Sequence, residues 1–470
     1  MKNQTATNSV SPTLTFFGGA GTVTGSKYLI QAKGVSVLLD CGLFQGLKEL
    51  RLRNWQKPPF NPARVDAVVL SHAHLDHSGY LPLLTKQHFR GKIYCTSATA
   101  DLLRVLLLDS AHLQQEEARF ANKQGYSKHK PALSPYTVSD VHATLKQIKR
   151  VPYNKLFSVT QGVSALLRRA GHILGSATVE LQLGEKDPKR LVFSGDLGRW
   201  DQPVLRDPEP VFAADTLLLE STYGDRLHAK NPAEQLARVI QKTEQRKGVL
   251  IIPSFAVGRT QEVIWKIRQL ENEKRIPVLP VYLDSPMATD VTDIYCKHPE
   301  EHDSDMKELK DQEACPLHSF NFSIVRSRKD SQRLNSLKGP IILIASSGMM
   351  TGGRVLHHLK QRLNNPTTTV LLVGYQAPGT RGRLLQDGIK KIKMLGQVIE
   401  VKASVETIDG LSAHADKNEI FRWLKNFKTP PKKTYIVHGE PKTSAHLAQA
   451  IQTQLGWDAE VAQDGATISL

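Results

Sequence analysis

DAVVLSHAHLDHSGYLPLL, residues 66–84, is the stretch from which the rest of the chain can be read. Three histidines and an aspartate fall within the six residues His72 to His77, between an apolar strand-like run and the start of an apolar helix-like one. If the strand stays extended through them, His72 and His74 alternate and point the same way. Asp76 and His77 follow at the turn into the next helix. Four ligand-type side chains then gather at one strand end, and imidazole with carboxylate is a donor set that suits zinc. A fortuitous surface cluster would lack apolar flanks on both sides. The stretch predicts a metal site.

A chain of 470 residues is too long for one simple core and predicts two domains. With 40% hydrophobic and 23% charged residues it has the mix of an ordinary globular protein. No apolar run reaches the roughly 20 residues a membrane span needs. The polar start, MKNQTATNSVSPTLTFF, lacks a signal pattern and reads as a short disordered lead-in, so a cytoplasmic location is expected. Cys41, Cys95, Cys296 and Cys315 show no CxxC spacing and suit a reducing compartment better than a disulfide scaffold. Cys41, with no thiolate-activating neighbour, reads as a small core residue. The net charge of +17 (62 basic minus 45 acidic residues) attracts polyanions, among which nucleic acid is the commonest in a cytoplasm. Solubility alone is the blander account of that excess.

Along the first part, short strand-like runs recur: LTFF, KYLIQ, VSVLLD, DAVVLS, KIYCTS, TVELQL and LVFSGD. A helix is predicted after Thr99, with Leu102, Leu103, Leu106 and Leu107 on its apolar face. From about residue 232 to 388 strands alternate with helices, as VLIIPSF, VLPVYLDSP, PIILIASSGMM and TTTVLLVGYQ show. Such alternation predicts a βα-wound parallel sheet. VKASVETIDG, a further helix and KTYIVHGE close the chain.

Two more motifs bear on the metal. AGHILGSA supplies His172 in a Gly-flanked loop, and VFSGDLG supplies Asp196 at a strand end. Alone, the first is an ordinary loop histidine and the second an ordinary turn. Together with HAHLDH, and with Asp40 ending VSVLLD, they resemble the metallo-β-lactamase fold superfamily. The resemblance implies one zinc held by His72, His74 and His172, a second by Asp76 and His77, and Asp196 bridging both. Asp40 is implied as an acceptor that orients a ligand histidine. Such a pair of ions polarises an electrophile and activates a water, so the chemistry is hydrolysis. True β-lactamases of this fold place a cysteine near the second zinc, whereas this chain has Asp196 and no cysteine nearby. Lactam hydrolysis is not expected.

Three later motifs narrow the resemblance. TLLLESTYGD places Glu220, GLSAHAD places His414 and TYIVHGE places His438. They are similar to the extra motifs of the β-CASP subfamily, the nucleic-acid-processing branch of the fold, and IIPSFAVGRTQE, ASSGMMTGGR and GYQAPGTRGR resemble its loops. The likeness runs from FFGGAGTVTGS to VHGE and is strongest to bacterial ribonucleases related to the pre-mRNA 3′-end-processing endonuclease. It implies an α/β protein: a metallo-β-lactamase αββα sandwich with an inserted βα-wound parallel-sheet (β-CASP) domain. Residues 1–207 would form the first part of the sandwich, 208–406 the insertion, and 407–470 the completion, bringing His438 to the second zinc.

In that subfamily histidine at the last position goes with RNA, and His438 stands there. The expected activity is that of a dizinc ribonuclease on single-stranded RNA, probing a cleft between the two domains and cutting endonucleolytically. His414 is the candidate general acid and Glu220 its orienting carboxylate. With Asp40 and the ligand Asp76 they make up the expected catalytic set. Wound sheets bind ligands beyond their strands' C-terminal ends, which here carry Ser254, Ser346, Ser347 and Gly348, followed by Arg259, Arg354, Arg381 and Arg383. These are the candidate phosphate contacts. Manganese could replace zinc, and a homodimer is compatible with the family. The competing readings are a DNA nuclease or a small (thio)ester hydrolase of the same fold, and a non-catalytic RNA-binding subunit.

Overall fold

The computed structural model describes residues 11–470 apart from Tyr126, Lys128, Glu313 and Ala314. The expected lead-in, residues 1–10, lies outside the described residues. Two compact units divide the chain. One takes the described residues up to Gly198, then Pro208–Arg226 and His414–Leu470; the other takes Arg199–Asp207 and Leu227–Ala413.

In the first unit, strands with one covered face alternate in burial. Along Val163–Arg169, Val163, Ala165 and Leu167 are buried while Ser164, Leu166 and Arg168 are partly exposed, as the two-residue period of a strand requires. Two seven-stranded sheets result. The first runs Thr467–Ser469, Thr13–Phe16, Tyr28–Ala32, Val35–Leu39, Ala67–Val69, Lys92–Cys95, Ile148–Arg150. The second runs Ala459–Val461, Lys433–Val437, Thr216–Glu220, Lys189–Phe193, Ala177–Leu183, Val163–Arg169, Phe157–Thr160. Leu14, Tyr28 and Val37 of the first sheet share one core with Leu181, Phe193, Leu218 and Val437 of the second. The helix Ser97–Gln124 packs against the first sheet and Pro441–Leu455 against the second, giving the expected helix–sheet–sheet–helix layering.

The second unit is built on a six-stranded parallel sheet, ordered Phe322–Ile324, Val281–Leu283, Ile341–Ala345, Val249–Pro253, Thr369–Leu372, Ser404–Thr407. Its central strands, VLIIP and IILIA, are buried at every residue. A strand covered on both faces reads as a continuous apolar run rather than an alternating one, which made this sheet predictable.

Both domain boundaries differ from those expected. The strand Thr216–Glu220 pairs in parallel with Lys189–Phe193 and with Lys433–Val437, so it belongs to the first unit and the division falls after Arg226. Ser404–Thr407 is the edge strand of the wound sheet, so the return to the first unit comes at His414. The structure also pairs two of the four cysteines, which the spacing did not announce. Cys296 and Cys315, 19 residues apart, are joined by a disulfide with their Cα atoms 5.6 Å apart, while Cys41 and Cys95 are buried and free.

Candidate metal centre

The ladder of the strand Ala67–Val69 stops short of the histidines. His72 and His74 lie in the loop that follows, and the short helix Leu75–Ser78 carries Asp76 and His77. Ser78 Oγ closes this turn, donating to the carbonyls of Ala73 (2.8 Å) and His74 (3.0 Å). Gly42 lies so near that a Cβ there would sit 1.6 Å from the Asp76 carbonyl oxygen, so only glycine fits. Asp40 and His438 each stand one residue beyond a strand with left-handed φ angles of 53° and 49°. Non-glycine residues hold that conformation at a cost of about 1–3 kcal/mol, a strain that concentrates at functional sites.

Two donor groups form side by side. Ligand atoms of His72, His74, His172 and Asp196 all lie within 4.8 Å of one another, and so do those of Asp76, His77 and His438. In the first group His74 Nδ1 is 3.1 Å from His72 Nε2 and 3.3 Å from His172 Nε2. In the second, the Nε2 atoms of His77 and His438 are 3.0 Å apart. Asp196 faces both: Oδ2 is 3.5 Å from His72 Nε2 and 3.6 Å from His172 Nε2, and Oδ1 is 3.3 Å from His77 Nε2 and from His438 Nδ1. The loops bearing His172 and Asp196 are laced together, since Gly198 N–H donates to the Ala170 carbonyl at 2.7 Å. A Cβ on Gly198 would lie 2.0 Å from the Gly171 oxygen.

The protonation pattern asks for a cation. Asp40 is buried and accepts from Ser71 N–H, Ser71 Oγ and His77 Nδ1, each at 2.7 Å. With its Nδ1 proton committed to Asp40, His77 turns Nε2 towards Asp196 Oδ1, a buried oxygen that no hydrogen-bond donor satisfies. A buried carboxylate oxygen left so is costly. Burial opposes charge on His77, but Asp196 and Asp40 outweigh it and push its pKa up to about 10. Burial, and then the repulsion of the neighbouring histidines, hold His72 well below its ordinary 6.5, and burial brings His74 down to about 4. These two rings stay neutral, the form that binds metal. Nitrogen and carboxylate donors at this density fit zinc.

A third group adjoins them: Asp196, Glu220 and His414. Glu220 is fully buried; Oε1 accepts from Leu197 N–H (2.7 Å) and faces His414 Nδ1 (3.2 Å), while Oε2 accepts from Thr222 N–H (3.2 Å). Burial disfavours the charged ring of His414, but Glu220 and then Asp196 prevail and raise its pKa. The converse holds for Glu220, whose pKa is lowered: burial opposes its charge and His414 overcomes that. The His414 side chain keeps 17% of its surface exposed. It takes no part in capping the next helix, Lys417–Leu424, whose cap is a reciprocal box of Asp416 and Glu419.

Two residues that sequence reasoning passed over complete the supports. Ser71 links Asp40 to the His72 ring, whose Nδ1 is 3.0 Å from Ser71 Oγ. Thr222 Oγ1 lies 3.2 Å from His438 Nδ1. Each directly adjoins or closely follows a chosen residue (Ser71 before His72, Thr222 after Glu220), which was the only signal available.

The candidate phosphate contacts fare differently. Ser254, Ser346, Ser347 and Gly348 do follow strand ends of the wound sheet. Ser254 Oγ accepts from Thr260 Oγ1 and Ser346 Oγ from Ser285 Oγ, both at 3.1 Å, while Ser347 Oγ accepts from the backbone of Thr351 (3.1 Å) and Gly352 (3.3 Å). A Cβ on Gly348 would press against Phe255. The arginines are tied within the unit. Arg259 is buried and pairs with Glu262. Arg354 binds Asp284 at 2.6 Å and the carbonyls of Val325 and Arg326. Arg381 donates to the Lys393 and Met350 carbonyls, and exposed Arg383 pairs with Asp387. All four arginines named as candidate phosphate contacts thus have partners within the unit, and Arg259 and Arg354 also brace the fold.

Among the described residues no helix is long and apolar enough to cross a membrane. Family comparisons match three segments: residues 29–194 to the metallo-beta-lactamase superfamily domain, 260–385 to the Beta-Casp domain, and 398–462 to the Zn-dependent metallo-hydrolase RNA specificity domain. The chain is 35% identical to Ribonuclease TTHA0252 of Thermus thermophilus, over 93% of its own length and 95% of the relative's. It is 32% identical to the Transcription termination factor FttA of Methanosarcina mazei, over 94% of its length and 69% of that protein's. A crystal structure of a protein of unknown function from Enterococcus faecalis superposes with a TM-score of 0.53, covering 98% of this chain and 100% of that one at 12% identity, a likeness of fold alone.

Proposed function

From the premise that the chain belongs to the β-CASP ribonuclease family of metal-dependent hydrolases, we propose that it cuts single-stranded RNA endonucleolytically with two zinc ions. One observation carries this reading: the two oxygens of Asp196 face two separate groups of histidines. We assign His72, His74 and His172 to one ion, Asp76, His77 and His438 to the other, and Asp196 to both. When bound, such a pair neutralises phosphate charge and lowers the pKa of a water to about 7. RNA as the substrate is supported by the RNA specificity domain match, which spans His438 and His414, and by the ribonuclease name of the Thermus relative.

The chain's own residues divide the remaining work. Asp40 fixes the His77 ring through Nδ1, and Ser71 ties that same carboxylate to the loop bearing His72. Glu220 holds His414 by Nδ1, so the proton delivered to the departing 3′-oxygen is the one on Nε2. Burial opposes a charged His414 ring, but Glu220 and Asp196 favour it and raise its pKa. In the wound unit Ser254, Arg259, Ser346, Ser347, Gly348, Arg354, Arg381 and Arg383 are the proposed RNA contacts. Manganese serves as an alternative metal in this proposal, the setting is the cytoplasm, and a homodimer is compatible with it.

The test compares an RNA and a DNA strand of one sequence, with the zinc-loaded chain and with a chelator added. Internal cuts in RNA that vanish with chelator support the proposal. Turnover of DNA alone would overturn the RNA assignment.

A further inference from the structure

Of the five tryptophans, Trp200, Trp265, Trp423 and Trp457 are buried, and Trp55 alone is exposed, at 57%. A large indole turned to water calls for a reason, because burying it would stabilise the fold by roughly 2–3 kcal/mol. The chain around it is firmly anchored. Asn54, the residue before it, is buried and bonds both ways to Phe44, accepting from its N–H at 2.9 Å and donating to its carbonyl at 2.8 Å. Arg53 stacks on the Phe44 ring at 4.1 Å and pairs with Asp464 at 2.9 Å. The segment is thus held on one side by packed partners while Leu52 (51% exposed) and Trp55 stand outward on the other.

The surroundings are basic. Lys48, Arg51 and Lys57 are exposed, and Glu49 is the single acidic residue between Leu47 and Lys57. The anchor also leads to the metal centre: Phe44 follows Leu43, whose N–H donates to the Leu75 carbonyl at 2.8 Å, and Asp76 comes next. Counting about 4–6 Å for each of the five steps, Trp55 stands no more than about 30 Å from that ligand. An indole on a rigid support, in a segment rich in exposed cations and within a short single strand's reach of the metal centre, has the make-up of a stacking platform for single strands. Lysine is depleted in protein–protein interfaces, which weighs against a second copy of the chain as occupant.

We infer that Trp55, with Lys48, Arg51 and Lys57, forms an RNA-binding surface on the first unit, where the indole stacks on an unpaired base outside the metal centre. This surface presupposes the RNA reading of that centre. The test uses the zinc-loaded full chain and a 2′-O-methyl oligoadenylate whose integrity is checked on a gel after each binding measurement. Trp55→Ala weakens binding about 5- to 100-fold, the range of one lost base stack, with zinc content unchanged, while Trp55→Phe keeps affinity within about threefold. Stacking also quenches indole emission in the parent, and Trp55→Phe, which lacks the exposed indole, loses that quench. Equal affinity and equal quenching in parent and variants overturn the surface while leaving the RNA reading intact. A change of oligomeric state in Trp55→Ala at unchanged RNA affinity also overturns it, marking the patch as a contact between copies. If the parent neither binds nor cuts RNA, the reading of the metal centre fails, and the surface with it.

Discussion

Each unit buries an aspartate among histidines and hydrogen-bond donors, and the two centres are opposites. In the wound unit Asp284 is fully buried and fully met: Oδ2 accepts from Ser331 Oγ (2.5 Å) and His358 Nε2 (2.6 Å), and Oδ1 from Arg354 (2.6 Å). Burial opposes its charge, yet these donors hold its pKa below the ordinary carboxylate range. Asp196 in the first unit is as deeply buried, but its Oδ1 has no hydrogen-bond donor, and burial raises its pKa against the pull of His438 and His77. The unmet oxygen of Asp196 and the fully met carboxylate of Asp284 separate the proposed metal centre from a closed electrostatic brace. Histidine beside aspartate is not itself a site. Unmet acceptors converging on one point are.

The comparison breaks most visibly at the ligands. His72→Ala should abolish RNA cleavage and lower bound zinc, measured by atomic absorption on the purified variant. Asp196→Ala should do the same, and unchanged zinc stoichiometry there would remove it from both ions. Next in size is His414→Ala, which takes a partly exposed acid from beside the centre without emptying it. Its kcat should fall about 10²- to 10⁴-fold with zinc retained. Loss of zinc in that variant would make His414 a ligand rather than an acid.

Asp284→Asn probes the other half. Breaking a buried, paired charge costs about 3–5 kcal/mol, which in a unit of this size lowers its melting temperature by roughly 6–20 °C. Zinc content should stay at the parent level. If zinc is lost in step with stability, the two centres are not independent and the contrast between them fails.

The site was more legible than its supports because metal ligands declare themselves by residue type, whereas supports are defined by direction. HAHLDH, His172 and Asp196 could be picked out along the chain, as could VLIIP and IILIA, whose unbroken apolar runs admit few alternatives. Val163–Arg169 was passed over because Leu166, on the outward face, blurs its alternation. Thr216–Glu220 reads as a central parallel strand wherever it is placed. Its neighbour Lys433–Val437 lies over two hundred residues on, so the sheet it joins is invisible locally. Arg354 shows the same limit at one side chain. Following a strand in a Gly-rich loop, it fits a phosphate grip until the fold turns it inward to Asp284. Ser71 and Thr222 are hydroxyls of the commonest kind, and only their distances to Asp40 and His438 give them meaning.

The smallest expected effect tests the junction between brace and site. Asp40 resembles Asp284 in being wholly buried with three donors, yet one of those donors is the His77 ring, a proposed metal ligand. In Asp40→Asn the shape stays, but an amide nitrogen at the Oδ2 position faces both Ser71 Oγ and His77 Nδ1. The oxygen at the Oδ1 position keeps the Ser71 N–H, and the Ser71 hydroxyl can turn to accept, so the fold should persist. At His77 Nδ1 donor meets donor, and the ring loses the partner that fixes its tautomer and its aim. Outer partners of this kind are worth about 10- to 100-fold in metal affinity. Zinc affinity measured by competition with a chromogenic chelator should fall by that factor, with melting temperature lowered less than in Asp284→Asn. If stability falls as far as in Asp284→Asn while zinc affinity holds, Asp40 is a brace of the second kind and the boundary between the two centres lies inside the first unit.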